Sequence, residues 1–268
     1  MNTRQPLPQT PEPPGPPESP EFDHLLHCVP DVDSAVRAYT RAGLPAHANP
    51  PCRGYRNGAW RLDVRYVETF TVEDRAEFDA SPYGKAMVPW MPRIDALLAA
   101  GGGGLNFAIH VADVAATTER LRAQGHTVEL HTFASEGAPV SFAEAVLTGD
   151  GVPSWAPFFI TYTPDRDTIF REYRAATTRR GPYDLAGFVI ETPDPAAAAA
   201  WLSRVTGIPV GEPGTVVPLP GAHGHFTEGP ADAITALLLS DGGTLAVPEI
   251  AGLGLRPGET AVPADANP

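Results

Sequence analysis

The sequence predicts an α+β fold made of a βαβββ module that occurs three times, with two copies set together as a curved-sheet cup. Three stretches share the order apolar strand, Asp, helix, Gly and strand, and their glycines stand at positions 43, 125 and 207, so consecutive glycines are 82 residues apart. This period is longer than the roughly 20–50 residues of solenoid repeats. Hydrophobic residues make up 43% of the chain, which is enough to fill a core.

The first module covers about residues 21–75 and opens with an apolar strand at Phe22–Val29. Either Asp31 or Asp33 can cap the following helix, because a short side-chain oxygen accepts hydrogen bonds from the free N–H groups of the first turn. Gly43 suits the left-handed position that ends a helix. Strand-forming residues predict two closing strands. These are Trp60–Leu62 and Arg65–Val72.

The second and third modules repeat this order. The second is expected to contain a strand at Leu105–Val111, a helix at Asp113–Gln124 and strands near 127–133, 140–147 and 157–163. The third is expected to contain a strand at Leu185–Thr192, a helix at Pro195–Val205 and strands near 214–219, 233–240 and 243–250. An intervening segment at 76–104 contains a short helix and ends in four glycines, which precede a strand and so do not match a phosphate loop.

The composition along the chain predicts five parts. They are a disordered proline-rich leader at 1–20, the paired modules at 21–163, a linker at 164–182, the third module at 183–253 and a disordered tail at 254–268. The leader carries eight prolines, which cannot sustain a helix or a sheet ladder.

Charge and cysteine content exclude several classes of protein. The formal net charge is −13, so nucleic acid and anionic membranes would be repelled and are not expected as partners. The two cysteines are too few for a disulfide scaffold, and no stretch approaches the roughly 18 apolar residues of a membrane helix. These observations predict a cytoplasmic protein.

Strand alternation then identifies candidate ligands. In the first strand His24 shares a face with Leu26 and Cys28, whereas Asp23 falls on the opposite face. If His24 and Glu68 both point into the cup, an imidazole and a carboxylate lie on neighbouring strands. That pair is half of a typical divalent metal site.

These residues carry a resemblance to a known family. The opening Phe22-Asp23-His24 and the closing Tyr66-Val67-Glu68 resemble the vicinal oxygen chelate superfamily, most closely its glyoxalase-like group. The resemblance implies a cup that binds a divalent metal (Zn, Fe, Mn or Ni) or, in some members, no metal. Known members include isomerases, lyases, ring-cleaving dioxygenases, thiol transferases and metal-free proteins that sequester antibiotics.

Carried over residue by residue, the resemblance makes His24 and Glu68 metal ligands. In the second module Asn106 stands opposite His24 and the closing strand has no carboxylate, so His110 becomes the replacement ligand. Glu68 is also a candidate catalytic residue, and Glu249 is a candidate proton carrier if modules one and three form the cup. The remaining site residues are expected to bind substrate. They are Asn106, Tyr66, Phe70 and Tyr162.

The preferred function is a metal-dependent lyase or isomerase acting on a small oxygenated metabolite, with a dioxygenase as the second reaction class. The rival is a metal-free protein that sequesters an aromatic small molecule, and a module with a purely assembling role is a third option. The third module lacks a partner within the chain, and because an open half-cup exposes apolar surface, a homodimer is expected.

Overall fold

The structure is a computed structural model that describes residues 18–134, 139–240, 245 and 247–258. It confirms the predicted α+β class. The helices are α1 (Val32–Arg41), α2 (Arg75–Ala80), α3 (Pro82–Ala86), α4 (Met91–Ala99), α5 (Val114–Ala123), α6 (Arg166–Ile169) and α7 (Pro195–Thr206). Short 3-10 turns lie at Val88–Trp90 and Ala175–Thr177, and a π-helical turn lies at Phe170–Arg174.

The strands follow the repeat. The first half contains β1 (Glu21–Cys28), β2 (Ala46–Ala48), β3 (Tyr55–Arg61), β4 (Tyr66–Val72), β5 (Gly103–His110), β6 (Thr127–Phe133), β7 (Ser141–Thr148) and β8 (Phe158–Thr163). The second half contains β9 (Asp184–Thr192), β10 (Val216–Val217), β11 (His223–Glu228), β12 (Ala233–Ser240), β13 (Glu249–Ile250) and β14 (Leu253–Pro257).

The three helices of the repeat begin and end as the sequence predicted. Asp31, Asp113 and Asp194 each stand at an N-cap, where the side chain accepts from backbone N–H groups of the first turn. The glycines at positions 43, 125 and 207 all have left-handed backbone, with φ of 84°, 91° and 75°. The even spacing of these glycines therefore reflects one helix-ending conformation used three times.

Modules one and two join through their opening strands. β1 pairs parallel with β4 and antiparallel with β5, and β5 pairs parallel with β8. The strands β3 and β7 extend the two sides, since β3 pairs with β4 and β7 pairs with β8. Residues from both modules surround one cavity, which is the predicted cup.

The second half repeats this pairing pattern. β9 pairs parallel with β11 and antiparallel with β12, and β12 pairs parallel with β14, so β12 occupies the place that β5 holds in the first half. Residues 233–240 were predicted as a closing strand of the third module. They behave instead as the opening strand of a further, shortened unit, so the repeat count of three is not confirmed.

Both halves share one sheet and one core. Ile234 of β12 pairs with Gly104 of β5, and the described strands form a single fourteen-stranded sheet. Phe188 of β9 lies with its ring centroid 4.6 Å from Phe107 and 5.7 Å from Phe22, so the apolar cluster continues from one half into the other.

The expected open half-cup is therefore covered within the chain. Among the described residues, the exposed large hydrophobic side chains are Val88, Leu130 and Tyr173, and all lie outside β9–β14. The apolar surface that led to the homodimer prediction is not seen in these ranges, and the dimer itself stays a prediction.

The second half departs from the sequence prediction in two further places. Residues 223–228 form β11, which pairs along β9 and was not among the predicted strands. Residues 254–257, which the sequence assigned to the tail, lie instead in β14, where Leu255 is buried and the strand pairs with β12. Most of the predicted leader, residues 1–17, lies outside the described residues, as do residues 259–268 of the predicted tail.

The segment 76–104 closes one end of the cup. Phe78 and Ile94 from its helices pack with Leu26, Cys28 and Phe70 in a second apolar cluster on the cup side of the sheet. This packing fills the cup with side chains near the C-terminal ends of β1 and β4. A smaller cavity remains toward the N-terminal ends of these two strands.

Candidate functional site

An irregularity in β1 sets the geometry of the site. Phe22 pairs with Ile109 but His24 pairs with the next residue, Ala108, so Asp23 is an extra residue in β1. The side chains of Asp23 and His24 consequently meet, with His24 Nδ1 2.6 Å from Asp23 Oδ1. The prediction that Asp23 faces away from His24 is wrong, because strict alternation fails at a bulge.

Asp23 is fully buried and surrounded by donors. The hydroxyl of Tyr162 donates to Asp23 Oδ1 at 2.9 Å, and Arg166 Nη1 lies 3.3 Å from Oδ2. Burial by itself raises the pKa of Asp23, but the hydrogen bond with His24, the charges of His24 and Arg166 and the bond from Tyr162 together hold that pKa below its ordinary value. Asp23 is therefore an anion that fixes the orientation of the His24 ring. Because this bond uses Nδ1, the other ring nitrogen of His24, Nε2, takes no part in it.

Tyr66 separates His24 from an arginine. The His24 ring stacks on Tyr66 with centroids 4.5 Å apart and planes 12° apart, and the Arg61 guanidinium carbon lies 4.1 Å from the same centroid. Two groups at these distances cannot share one face of the ring, so His24 and Arg61 lie on opposite faces.

Glu68 is held by two side chains of β3. The Tyr55 hydroxyl and the Asn57 amide each donate to Glu68 Oε1 at 2.8 Å. Burial first, and then the charge of Glu68, raises the pKa of Tyr55, so the Tyr55 hydroxyl keeps its proton and remains a donor. This arrangement fixes one oxygen of Glu68.

Glu144 of β7 is a site residue that the sequence analysis missed. It is 3% exposed and lines the same cavity as Glu68. Burial first, and the charge of Glu68 second, raises the pKa of Glu144 to about 8. The signal was present in the sequence, because Glu144 interrupts the apolar run Ala143–Leu147, and a carboxylate buried in such a strand is costly unless it has a partner or a proton.

The cavity that these residues form has a volume of about 300 Å³. Its walls combine acidic, cationic and aromatic side chains from both modules and from the segment after β8. The lining comprises His24, Tyr55, Asn57, Arg61, Val64, Tyr66, Glu68, Tyr83, Val140, Phe142, Glu144, Ile160, Tyr162, Arg166, Ile169, Phe170 and Arg174.

Four of the sequence-predicted site residues meet in this cavity. They are His24, Tyr66, Glu68 and Tyr162. The carboxylate that shares the cavity with Glu68 is Glu144, which lies in β7 of the second module. No carboxylate had been found in the sequence of the closing strand of that module.

The other four predicted residues lie elsewhere. Phe70 is fully buried in the apolar cluster below the cavity. Asn106 stands at a second bulge, where Leu105 and Asn106 of β5 oppose the single residue Leu26 of β1, and its buried amide has no hydrogen-bond partner among the described residues. His110 is half-buried beside Tyr162, with centroids 6.4 Å apart, and does not line the cavity. Glu249 is exposed on β13.

These placements bear on metal binding and on membranes. Across residues 18–134, 139–240, 245 and 247–258, no group of three or more His, Cys, Asp and Glu side chains is placed to hold a metal ion. Within the same ranges, no helix has both the length and the apolar character needed to span a bilayer.

Comparison with known proteins points to one family. A family model described as a glyoxalase-like domain matches residues 22–206. No curated protein matches the chain.

Two solved structures share the fold at low sequence identity. A hypothetical protein from Staphylococcus aureus is 14% identical, with a TM-score of 0.69 over 89% of this chain and 99% of that one. A mutant of 4-hydroxymandelate synthase from Streptomyces coelicolor is 14% identical, with a TM-score of 0.51 over 83% of this chain and 71% of that one. A Mn(II)-bound glyoxalase from Novosphingobium aromaticivorans is 11% identical, with a TM-score of 0.48 over 82% of this chain and 65% of that one.

Proposed function

The chain belongs to the glyoxalase-like domain family, and from this premise we propose that it is an isomerase or lyase that moves a proton on a small oxygenated metabolite inside the cup. The predicted resemblance to the vicinal oxygen chelate superfamily is thereby confirmed, and the reaction is the part that we propose.

One observation carries the proposal. The cavity holds two acid–base units, the His24–Asp23 pair and the Glu144–Glu68 pair. Enzymes that shift protons need one group that accepts a proton and another that donates one near neutral pH. A buried carboxyl beside a second carboxylate keeps its proton more readily than an isolated one.

The two units suit different steps. His24, oriented by Asp23, would take a proton from a carbon next to a carbonyl through Nε2. Glu144 in its protonated form would donate a hydrogen bond to the carbonyl oxygen as negative charge develops there. Return of the proton to the opposite face of that carbon, or to the adjacent carbon of the enol, gives an isomer, whereas loss of a leaving group from the neighbouring carbon gives a lyase product.

The predicted metal ligands do not form a donor set that fits a divalent ion. Catalytic metal sites usually have three protein ligands. His24 and Glu68 line the cavity but His110 does not, and the described residues contain no cluster of three. No step of the mechanism is therefore routed through a metal, and the assignment of His24, Glu68 and His110 as ligands stays a prediction for elemental analysis.

A second candidate function rests on the aromatic part of the lining. Tyr55, Tyr83, Phe142 and Phe170 offer ring surface to a planar molecule. This wall supports the alternative of a binding protein that sequesters an aromatic compound without changing it.

Deuterium wash-in separates the two functions. The purified chain would be incubated in D₂O with a panel of small carbonyl compounds, and exchange at the carbon next to the carbonyl would be followed by proton NMR. We expect exchange on at least one compound, and losses of about a hundredfold in both His24→Gln and Glu144→Gln. Glu119→Gln, which changes a side chain that is 74% exposed, is the matched control and should exchange like the wild type.

The opposing outcomes are distinct. Tight binding of an aromatic member without exchange would support sequestration. A stoichiometric divalent ion in the purified protein, lost in His24→Ala, would restore the metal-dependent mechanism.

A further inference from the structure

We propose that the cavity binds its substrate as a monocarboxylate, with the carboxylate against Arg61 and the reacting carbonyl toward Glu144. This inference names the substrate class of the proposed active site and rests on that function only in placing the reacting carbonyl. The carboxylate subsite itself follows from Arg61 and its neighbours.

Arg61 lines the cavity and has no acidic partner among the described residues. Among the described residues no carboxylate forms a salt bridge with it, and its Nε is buried without a hydrogen-bond partner. The other arginine of the same strand, Arg56, is bonded to both Asp33 and Glu73. The chain has a net charge of −13, and yet Arg61 faces the cavity without a carboxylate paired to its guanidinium group. An anion from solution could bind there.

The neighbours of Arg61 strengthen its positive field. Arg174, from the π-helical turn, lines the same cavity. The charges of Arg61 and Arg174 both reach His47, where burial first and then these two charges lower the pKa of His47. Arg166 also lines the cavity, but Glu21 and Asp23 already neutralise it. The cationic end of the cavity is therefore assigned to Arg61, and Arg174 lies along the same cavity wall.

The strand register gives the length of the ligand. Arg61 pairs with Tyr66, while Glu68 pairs with Ala59, so the acidic end lies two residues along β4 from the cationic end. Two residues of an extended strand span about 7 Å. A molecule with its carboxylate at Arg61 would thus reach the acidic end of the cavity, which Glu68 and Glu144 line, within a few bonds.

The chemistry of the two ends favours a carboxylate over a phosphate. The guanidinium group lies over Tyr66 and offers a planar fork of N–H donors, which matches the two oxygens of a carboxylate. A phosphate dianion would be repelled more strongly by the charge of Glu68 than a singly charged group. The small cavity also leaves little room for a hydrated dianion.

A matched pair of ligands tests the inference by isothermal titration calorimetry at neutral pH. The probes are 4-oxo-4-phenylbutanoate and its uncharged amide, which have the same carbon skeleton. We expect the full-length wild-type chain to bind the acid about tenfold or more tightly than the amide. Arg61→Gln should lose that preference, and Arg61→Lys should keep part of it because the charge remains while the fork is lost. Arg56→Gln is the control from the same strand and should bind like the wild type.

Several outcomes would overturn the inference. They are equal affinity of the wild type for acid and amide, no binding of the acid, an unchanged preference in Arg61→Gln, and displacement of the acid by inorganic phosphate at lower concentration than by benzoate. Circular dichroism melting would confirm that each variant is folded, and Arg61→Lys would carry the test if Arg61→Gln does not fold. Preference for the acid without deuterium wash-in would leave the carboxylate subsite standing and reject the proposed proton transfer.

Discussion

Glu144 of β7 and Glu68 of β4 line one cavity, and the charge of Glu68 adds to burial in raising the pKa of Glu144 to about 8. Glu68 is held through one oxygen by Tyr55 and Asn57, whereas Glu144 accepts no hydrogen bond from the described residues. The proton of the pair therefore belongs on Glu144, and this has consequences for stability as well as for activity.

The stability of the protein should depend on pH through Glu144. Its pKa rises from the ordinary value of 4.5 to about 8 in the folded state, so between these values the folded chain binds more protons than the unfolded chain. The stabilisation is present in full below about pH 4.5 and is lost as pH rises through about 8. We compare the free energy of unfolding of wild type with that of Glu144→Gln, which mimics the protonated group. The difference in favour of the variant should grow by about 2–4 kcal/mol from about pH 5 to about pH 9. Urea unfolding at both pH values measures this difference.

Glu119→Gln serves as the control, because its exposed carboxylate should give the same difference from wild type at both pH values. A parallel pH dependence in wild type and Glu144→Gln would show that Glu144 is ionised at neutral pH.

The deuterium wash-in rate should fall on the alkaline side. If protonated Glu144 stabilises the developing oxyanion, the rate should decline about tenfold per pH unit above its pKa of about 8. Glu144→Gln should be slow and should lack this limb, since its amide does not titrate. Wash-in rates measured by NMR across the alkaline range check the expectation. An alkaline limb that persists in Glu144→Gln would assign the titration to another group.

Replacing Asp23 should weaken both the fold and the chemistry. Asp23→Asn leaves Arg166 without its buried anion and replaces one acceptor oxygen beside His24 and Arg166 by an NH₂ donor, so we expect a loss of about 2–4 kcal/mol in the free energy of unfolding near neutral pH. Because the pKa of Asp23 is lowered in the fold, the stabilisation is present above the ordinary value of 3.8 and is lost as pH falls through the folded value. The difference between variant and wild type should therefore shrink in acid.

Tyr162→Phe is the matched comparison for Asp23→Asn. It removes a single hydrogen bond to Asp23 and should cost about 1 kcal/mol. Urea unfolding near neutral pH and in acid, together with wash-in rates, measures both variants. Equal effects of the two substitutions would mean that the charge of Asp23 contributes little.

The sequence was sufficient where one periodicity governed a whole element. The three Asp-capped helices, the left-handed glycines and the strand carrying Tyr66 and Glu68 follow from local preferences, and the structure has them where the sequence predicted. The α+β class and the cup follow from the same repeat.

The sequence was insufficient where pairing between distant strands changed the alternation. One bulge brings Asp23 beside His24, and another places Asn106 in a buried position away from the cavity. Neither bulge can be read from one strand, because each depends on the register between β1 and β5. Glu144 was missed because its significance depends on its closeness to Glu68, which lies 76 positions earlier in the chain and meets it only in the fold.

Glycine positions offer a test of the local geometry that supports the site. Gly125 has a left-handed backbone with no atom within 4 Å of an added Cβ, so Gly125→Ala should cost only the backbone strain, about 1–2 kcal/mol. Gly54 is also left-handed, but an added Cβ would lie 2.6 Å from Phe78 N and closer still to the Asp74 carbonyl oxygen. Gly54→Ala should therefore cost more than about 4 kcal/mol.

The position of Gly54 links this cost to the site. Gly54 directly precedes Tyr55, whose hydroxyl holds Glu68, so any shift that accommodates the alanine moves a donor of the acidic pair. We expect Gly54→Ala to lower the wash-in rate even under conditions where the protein stays folded, whereas Gly125→Ala should leave the rate unchanged. Gly211→Ala, where an added Cβ would make only ordinary contacts from 3.6 Å, is the control and should change the free energy of unfolding by less than about 0.5 kcal/mol. Thermal melting followed by circular dichroism ranks the three variants, and equal losses in Gly54→Ala and Gly125→Ala would show that the turn before β3 relieves the contacts with Asp74 and Phe78.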